Sequence, residues 1–538
     1  MKYHFKVKSF LLFCFVVVFI ISCRKENKNP SWDVDVLLPL VKSTLTINNI
    51  IPDSILHSNP DNSLNIVYNT PLYSFNSDTL FKIRDTTLTN SWPYLFSNPT
   101  VIQPGGAIIN PPIVNNIQNN LGDVQLTNFT LKSGKMLLAI SNGIHGLVDF
   151  NYKIPSAKNI SGNIFDTTVT LPPAIGTAPG MYSGSFDLSG YKFDLTLPGG
   201  TNVNTIATSY SASVAPAANG GYTTTLSSGD AVQITNKFIG IVPDYAKGYF
   251  GQTTTNIGPS TTNFSLFKHI VDGTIKLQNV NIGLAIENSV GVDARFTIAD
   301  LSSFNSRTGQ SIPLSCATVI NSPMNINGAT DMNGNVTSST YSTALTSSNS
   351  NIIPFVENLP DKISYKMKLE INPLGNVYGN NNFIYKDKLM KTELNMSIPL
   401  SILANNLTLA DTLNFKLDAT ANNVNNGKLY LFLENGFPFT AEAQLYLLNT
   451  NSSIVDSLIN TPSVIAAPPL DVNSICIGTQ TSKLTMEISV NKMNLLRATK
   501  KIVLKIKFNT TGMNFVKIYD YYKMNAKLVG DFNYTVGK

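Results

Sequence analysis

The sequence predicts a mainly β protein, made of tandem antiparallel β-sandwich (immunoglobulin-like) or extended β-sheet units with few helices. Three observations lead there. First, apolar residues recur with period two. Tyr365-Lys-Met-Lys-Leu-Glu-Ile, Glu393-Leu-Asn-Met-Ser-Ile, Leu413-Asn-Phe-Lys-Leu-Asp and the later part of Ile502-Val-Leu-Lys-Ile-Lys-Phe all alternate. Such alternation turns one face of a strand to a core and the other to water. Second, Thr, Val, Ile and Tyr fill these runs, and they suit strands. Third, only 13% of the 538 residues are charged while 43% are hydrophobic. The usual charged share is about 25%. A coiled coil needs charged flanks, and disorder needs few apolar residues with high net charge; neither fits.

The elements are organised as a long repeat. Three segments share an apolar strand, an Asn, a small residue and a second strand. They are residues 136–152 around Asn142, 282–298 around Asn288 and 429–445 around Asn435, with the Asn residues 146 and 147 positions apart. Asn-Gly and Asn-Ser tolerate the positive φ of a tight reversal or bulge. A near-constant period predicts one structural unit used three times. A second echo places aromatic-bearing strands after Asp244, Asp361 and Asp520. The expected units are 131–276, 277–425 and 426–538. A β segment over 31–130 stands apart, and within it 100–120, rich in Pro, Gly and Asn, reads as a loop or linker. Residues 320–351 read as a long loop or a set of polar strands. Helical candidates are few: Pro399-Leu-Ser-Ile-Leu-Ala-Asn and Val490-Asn-Lys-Met-Asn-Leu-Leu-Arg. The basic run from Arg497 to Lys507 reads as a strand with a solvated Lys face.

The N-terminus reads as an address. Lys2, Lys6 and Lys8 precede an apolar stretch over 9–22, too short for the roughly 20 residues of a spanning helix. It ends at Ile20-Ile21-Ser22-Cys23. This order resembles a bacterial lipobox, in which an aliphatic residue, a tolerant position and a small residue precede the Cys that becomes residue one. The resemblance implies a signal peptide over 1–22, cleavage between Ser22 and Cys23, acylation of Cys23, and a lipidated tether over 23–30. Acyl chains contribute about 0.8 kcal/mol per buried methylene, so several of them anchor a protein durably. Arg24 stands where enteric lipoproteins kept in the inner membrane carry Asp, which by analogy implies the outer membrane. Only Glu26 is acidic in the tether, which leaves cell surface or periplasmic face open. The lipobox, the Asn-rich composition and the Trp32…Pro39-Leu opening together resemble the large uncharacterised outer-membrane lipoproteins of the Bacteroidota.

Cysteine usage offers little chemistry. Cys14 leaves with the signal, and Cys316 and Cys476 remain, 160 residues apart, read as two buried free thiols with a disulfide as the alternative. Without a Cys-x-x-Cys there is no support for a zinc or thioredoxin-type site. His4 leaves with the signal, and His57, His145 and His269 have neither metal spacing nor a Ser and Asp partner. His145 reads as a turn residue. The sequence carries no nucleophile elbow, phosphate loop or dinucleotide fingerprint. Asp331-Met-Asn333-Gly-Asn335 has calcium-loop spacing, but Ser342 stands where the closing Glu belongs, so it reads as a polar β-turn. Tyr245, Tyr249 and Phe250 offer a binding surface for carbohydrate or lipid, with sheet packing as the alternative; Tyr519, Tyr521 and Tyr522 echo them.

The net charge of +6 falls to +3 without the three signal lysines. With no basic cluster, nucleic acid is excluded as a partner. The expectation is a lipid-anchored, non-enzymatic cell-envelope protein without cofactor or metal. It would act as a binding or scaffold module for envelope proteins or glycans. The alternative is a periplasmic carrier of lipid or another apolar ligand.

Overall fold

A computed structural model describes residues 32–75, 85–267, 269–415, 417, 424–512 and 514–536. Ser22, Cys23, the signal and the tether lie outside the described residues. The described chain is mainly β, its sheets antiparallel throughout the registered pairs. It divides into two compact units. The smaller comprises Met1–Asn65, Lys268–Gln278 and Leu400–Lys538, and the larger comprises Ile66–Phe267 and Asn279–Pro399. This division cuts across the consecutive blocks 31–130, 131–276, 277–425 and 426–538.

The smaller unit is one sandwich. Its first sheet runs Trp32–Thr46, Lys523–Val536, Val424–Asn435, Gln480–Ile488. Its second runs Ser401–Asn414, Lys501–Thr510, Phe439–Leu448, Ile454–Ser457, with Asp272–Leu277 beyond Ser401–Asn414. Leu431 and Leu528 of the first sheet meet Leu445 and Leu504 of the second, around a residual space of about 10 Å³. The alternation does this packing: Ile502, Leu504, Ile506 and Phe508 are buried while Lys501 and Lys507 are exposed. From Lys501 on, the basic run is thus a strand with a wet Lys face, whereas its first residues, Arg497 and Ala498, end the helix before it.

The larger unit holds two sandwiches with the same strand order. In one, the first sheet is Thr86–Pro93, Ala231–Tyr249, Gln125–Asn142, Gly180–Asp187, and the second is Ala107–Gln118, Thr205–Val214, Val148–Lys158, Ile164–Leu171. A short strand, Lys192–Asp194, pairs with both Gln125–Asn142 and Val148–Lys158 and so joins the two sheets. In the other, the first sheet is Leu64–Phe75, Met390–Pro399, Asn281–Asn288, Ser339–Leu345. Its second is Thr253–Asn263, Lys362–Ile371, Ala294–Asn305, followed by Gln310–Pro313 and Pro323–Ile326. One eight-position pattern therefore occurs three times.

Each sandwich takes the outer strand of its first sheet from the N-terminal segment, and these come in reverse order. Thr86–Pro93 joins the first sandwich along the chain, Leu64–Phe75 the second and Trp32–Thr46 the third. The segment 31–130 does not stand apart. Unpaired sheet edges are exposed rows of donors and acceptors, and these strands cover them. Residues 100–120 are not a linker either, since Ala107–Gln118 pairs with Thr205–Val214 as the outermost strand of its sheet. Pro111 and Pro112 are compatible with that place because an edge strand needs no donor on its open side.

Two smaller expectations divide. Val490–Ala498 is helical, and the Ser489 hydroxyl accepts the Lys492 N–H at its start. Residues 399–405 are not helical: Met390–Pro399 ends there and Ser401–Asn414 begins, its first residues held in a sheet by Asp272–Leu277. Sheet pairing overrides a weak local helical preference. The stretch 320–351 contains four short strands, including the hairpin Thr330–Met332 with Asn335–Thr337.

Candidate functional site

The three repeated Asn residues build one device three times. Asn142, Asn288 and Asn435 each end a strand and are 0% exposed. Each side-chain carbonyl accepts the N–H two residues on, from Ile144 (3.0 Å), Val290 (2.9 Å) and Phe437 (3.0 Å). Each side-chain amide donates to the carbonyl four residues on, of Gly146 (3.2 Å), Val292 (2.8 Å) and Phe439 (2.8 Å). Its second hydrogen goes to a distant loop, to the carbonyls of Pro172 (2.8 Å), Asn327 (2.9 Å) and Ala466 (3.0 Å). Both donors of the amide are used, which no carboxylate can imitate.

The small residue after the Asn has a different reason from the expected one. None of the three Asn residues, nor Gly143, Ser289 or Gly436, has positive φ. The Asn side chain, not a left-handed backbone, makes the turn. The next residue instead donates its N–H across the sheet, from Gly143 to Ala231, Ser289 to Leu389 and Gly436 to Lys523. A Cβ on Gly143 or Gly436 would stand 2.9 Å from that same carbonyl oxygen.

The distant loops held by the Asn residues are structurally equivalent. Each leads from the edge of the second sheet to the outer strand of the first, over 172–179, 327–338 and 466–479, the third starting from Val464–Ile465, a two-residue strand paired with Phe439–Leu448. Each carries an exposed apolar side chain: Ile175 (80% exposed), Met332 (74%) and Val472 (100%). The loops are built rigidly. Ile175 and Ala178 exchange two backbone hydrogen bonds, and the Asp471 carboxylate accepts from the N–H groups of Asn473 and Ile475. In the second loop Asn333 and Gly334 take positive φ, and the Asp331 carboxylate accepts the Gly334 N–H. The Asp331–Asn335 motif is thus a polar β-turn.

The residues singled out from sequence are placed otherwise than a shared binding surface requires. Tyr249 and Phe250 are 7% and 1% exposed and belong to the core. Tyr245 is half-buried against Tyr385, ring centroids 4.7 Å apart. Burial, with the hydrogen bond to Asp331 next, pushes the Tyr385 phenol up to about 12. Of the echoing tyrosines, Tyr519 and Tyr522 are buried and only Tyr521 is open. The echo itself is not structural. Asp244 lies inside Ala231–Tyr249, whereas Asp361 and Asp520 precede strands in different positions of the pattern. Cys316 and Cys476 are both free thiols, the first buried and the second half-buried. Burial raises the Cys476 thiol above its ordinary range. His57, His145 and His269 are exposed, and His145 sits in the first Asn turn. Among the described residues no three His, Cys, Asp or Glu side chains gather as a metal site.

A cavity of about 680 Å³ stands at a place that no sequence pattern marks. It lies in the sandwich that carries the joining strand Lys192–Asp194. Phe129, Leu131 and Phe238 line it from the first sheet, Phe193 from the joining strand and Ile206 from the second sheet. Alternating strands in sequence gave no sign of it, because it arises where the strands overrun the common pattern.

No protein-family model matches the chain, and no curated protein matches it. Among solved structures, a protein of Parabacteroides distasonis described as secreted aligns at 13% identity with a TM-score of 0.28, over 51% of this chain and 82% of that one. Infectious bursal disease virus structures of the Gt and Gx strains align at 11% and 9% identity with TM-scores of 0.13, over 90% and 91% of this chain and 86% of each of theirs. Alignments this loose carry no argument about function.

Proposed function

We propose that this chain is a lipid-anchored, non-enzymatic protein of the cell envelope, held at the outer membrane through Cys23 and acting as a binding or scaffold module for envelope proteins or glycans. The observation that supports binding is the loop made three times. An apolar side chain held open to water on a fastened loop adds nothing to the core, and its repetition at equivalent places argues for contact with a partner. Ile175, Met332 and Val472 are the contact residues of this reading. The Tyr245 region contributes through Tyr245 alone, since Tyr249 and Phe250 are buried.

The test is in-cell photocrosslinking. A photoreactive residue at 175, 332 or 472 should give a discrete adduct. One at Ile160, fully exposed on another loop of the larger unit, should not. Adducts no stronger at the three loops than at Ile160 would end the reading. Cys23→Ala should move the protein from the membrane fraction to the soluble one, and unchanged fractionation would end the lipid-anchor part. A second reading, a periplasmic carrier of lipid or another apolar ligand, is favoured by the 680 Å³ cavity.

A further inference from the structure

One end of the first sandwich is apolar and almost free of charge. The strands of its first sheet reach that end at Pro93, Asn142, Gly180 and Ala231. Those of its second sheet reach it at Ala107, Val148, Leu171 and Val214. Four connections close it, over 94–106, 143–147, 172–179 and 215–230. The second sandwich of the larger unit joins this one at the opposite end, where Phe383–Tyr385 pairs with Tyr245–Lys247.

The connections are tied to one another. Thr100–Ile102 pairs with Thr224–Leu226. The Tyr222 hydroxyl donates to the His145 carbonyl (3.1 Å), the Thr223 hydroxyl to the Gln103 side chain (2.9 Å) and the Ala174 N–H to the Ile144 carbonyl (2.9 Å). Tyr94 fastens its own loop, its N–H donating to the Asp230 carbonyl and its hydroxyl to the Asn98 carbonyl. Apolar side chains stand on this fixed base. Leu95 is 82% and Phe96 70% exposed, and Val101, Ile175, Met181 and Tyr222 are each at least half exposed. Side chains this open are prongs, not the walls of a groove.

Charge is withheld from the same place. The four connections contain no Lys, Arg or Glu, and their one Asp, Asp230, is buried and accepts the Ser227 N–H (2.8 Å). The His145 ring is there, its Nδ1 3.1 Å from the Ala174 carbonyl oxygen. Within the first five residues of each of the eight strands, counted from this end, Asp149 alone is charged, and it accepts the Thr170 hydroxyl (2.7 Å). The shared architecture does not require this. In the other two sandwiches the connection equivalent to 215–230 runs over 372–389 and 511–522. One carries Lys386, Asp387 and Lys388, and the other Lys517 and Asp520. The loops equivalent to 172–179 carry Asp331 and Asp471.

Prongs without charge suit lipid better than protein. A protein partner offers a hollow for each apolar anchor and a polar rim around it, and this end has no charged rim to match. A bilayer needs no hollows, and it penalises charge because an ion there leaves water. Its interface accepts polar backbone, Asn, Ser and Thr while it buries Leu, Ile and Phe, and it favours aromatic rings such as that of Tyr222.

We propose that the Leu95–Phe96 end of the first sandwich inserts into the surface of a phospholipid bilayer, without preference for anionic lipid. The proposal goes beyond the binding-module reading. It does not need the Cys23 anchor, and of the three Asn-held loops it assigns only that of Ile175 to lipid.

The test uses residues 24–538, because the apolar stretch 9–22 and an acylated Cys23 would bind vesicles unaided. Co-flotation with phosphatidylcholine vesicles, with and without phosphatidylglycerol, measures partition at low and high salt. Partition should be the same in all four conditions, since no cation at this end meets a lipid anion. Leu95→Ser and Phe96→Ser should each lower it about tenfold, the low end of what burying such a side chain supplies. Ile160→Ser, at the turn that ends the second sheet on the opposite side, should leave it unchanged. Circular dichroism and melting temperature check the fold of each variant. Lipids brominated on their acyl chains should quench the added emission of Leu95→Trp and spare that of Ile160→Trp.

Absence of partition, partition unchanged in both Ser variants, partition that needs phosphatidylglycerol or vanishes at high salt, or equal quenching at 95 and 160 would overturn the proposal. So would self-association that the Ser variants abolish, without partition into vesicles, which would assign this end to a second copy of the chain. None of these results alters the membrane fractionation of Cys23→Ala, so failure of the anchor and failure of this end are told apart.

Discussion

Replacing Asn435 with Ala removes three hydrogen bonds at once, two of them buried and the one to Ala466 part-buried. The side chain accepts from Phe437 N–H and donates to the Phe439 and Ala466 carbonyls, all at 2.8–3.0 Å. Each orphaned buried group costs about 1–3 kcal/mol. Phe439 pairs with Thr510 in its sheet, so its carbonyl falls at the low end. The expected loss is about 3–6 kcal/mol from the smaller unit, a large effect for a turn residue. Asn435→Asp keeps the shape but points an acceptor at two carbonyls. Burial and those carbonyls raise the folded pKa of the new carboxyl above its unfolded value of about 4. Its stability is then fully present below that pH and lost as pH rises through the folded value. Urea unfolding, with hydrogen exchange read on peptides of the smaller unit, measures both variants at pH 4 and pH 7. An Ala variant within about 0.5 kcal/mol of the parent, the range of an ordinary surface change, would refute the reasoning. So would an Asp variant equal to the parent at pH 7.

Other outcomes follow from the same structure. Truncation after Thr510 removes Lys523–Val536, which pairs with both Trp32–Thr46 and Val424–Asn435. Limited proteolysis should then degrade the smaller unit and spare the larger, and equal survival of both would contradict the strand order. Gly180→Val would bring a Cβ to about 1.9 Å from the Pro172 carbonyl that Asn142 holds. It should lower the melting temperature of the larger unit, whereas Gly162→Ala, with open space around it but positive φ, should cost about 1–2 kcal/mol. Cys476 should alkylate more slowly than a free thiol at pH 7 and speed up as pH rises past the ordinary cysteine range, because burial disfavours its thiolate. Cys316, 3% exposed, should react only on unfolding; fast labelling of Cys316 in the native protein would argue against its burial.

The strands and the Asn turns were legible because both are local. A half-buried strand must alternate, and Tyr365–Ile371 or Ile502–Phe508 shows it without reference to any partner. The period of Asn142, Asn288 and Asn435 survives because the amide uses both donors and no other side chain of that size does the same. The reason for the motif was not legible, since half of it is a carbonyl some 30 to 40 residues away. The Asp244, Asp361 and Asp520 echo shows the opposite case, a likeness of short segments that the fold places in unlike positions.

The sequence by itself determined the β class, the threefold turn, the polar hairpin at Asp331 and the wet Lys face of 501–507, because each depends on periodicity or on neighbours within a few residues. Only the tertiary structure decided that Trp32–Thr46, Leu64–Phe75 and Thr86–Pro93 complete three different sandwiches, that Ala107–Gln118 is an edge strand despite Pro111 and Pro112, and that 399–405 is extended. It also buried Tyr249 and Phe250 and opened the cavity beside Ile241. The physical reason is common to all of these. A strand's partner is chosen by backbone hydrogen bonds and by the face it must cover, and those are properties of the assembled sheet, not of the segment that joins it.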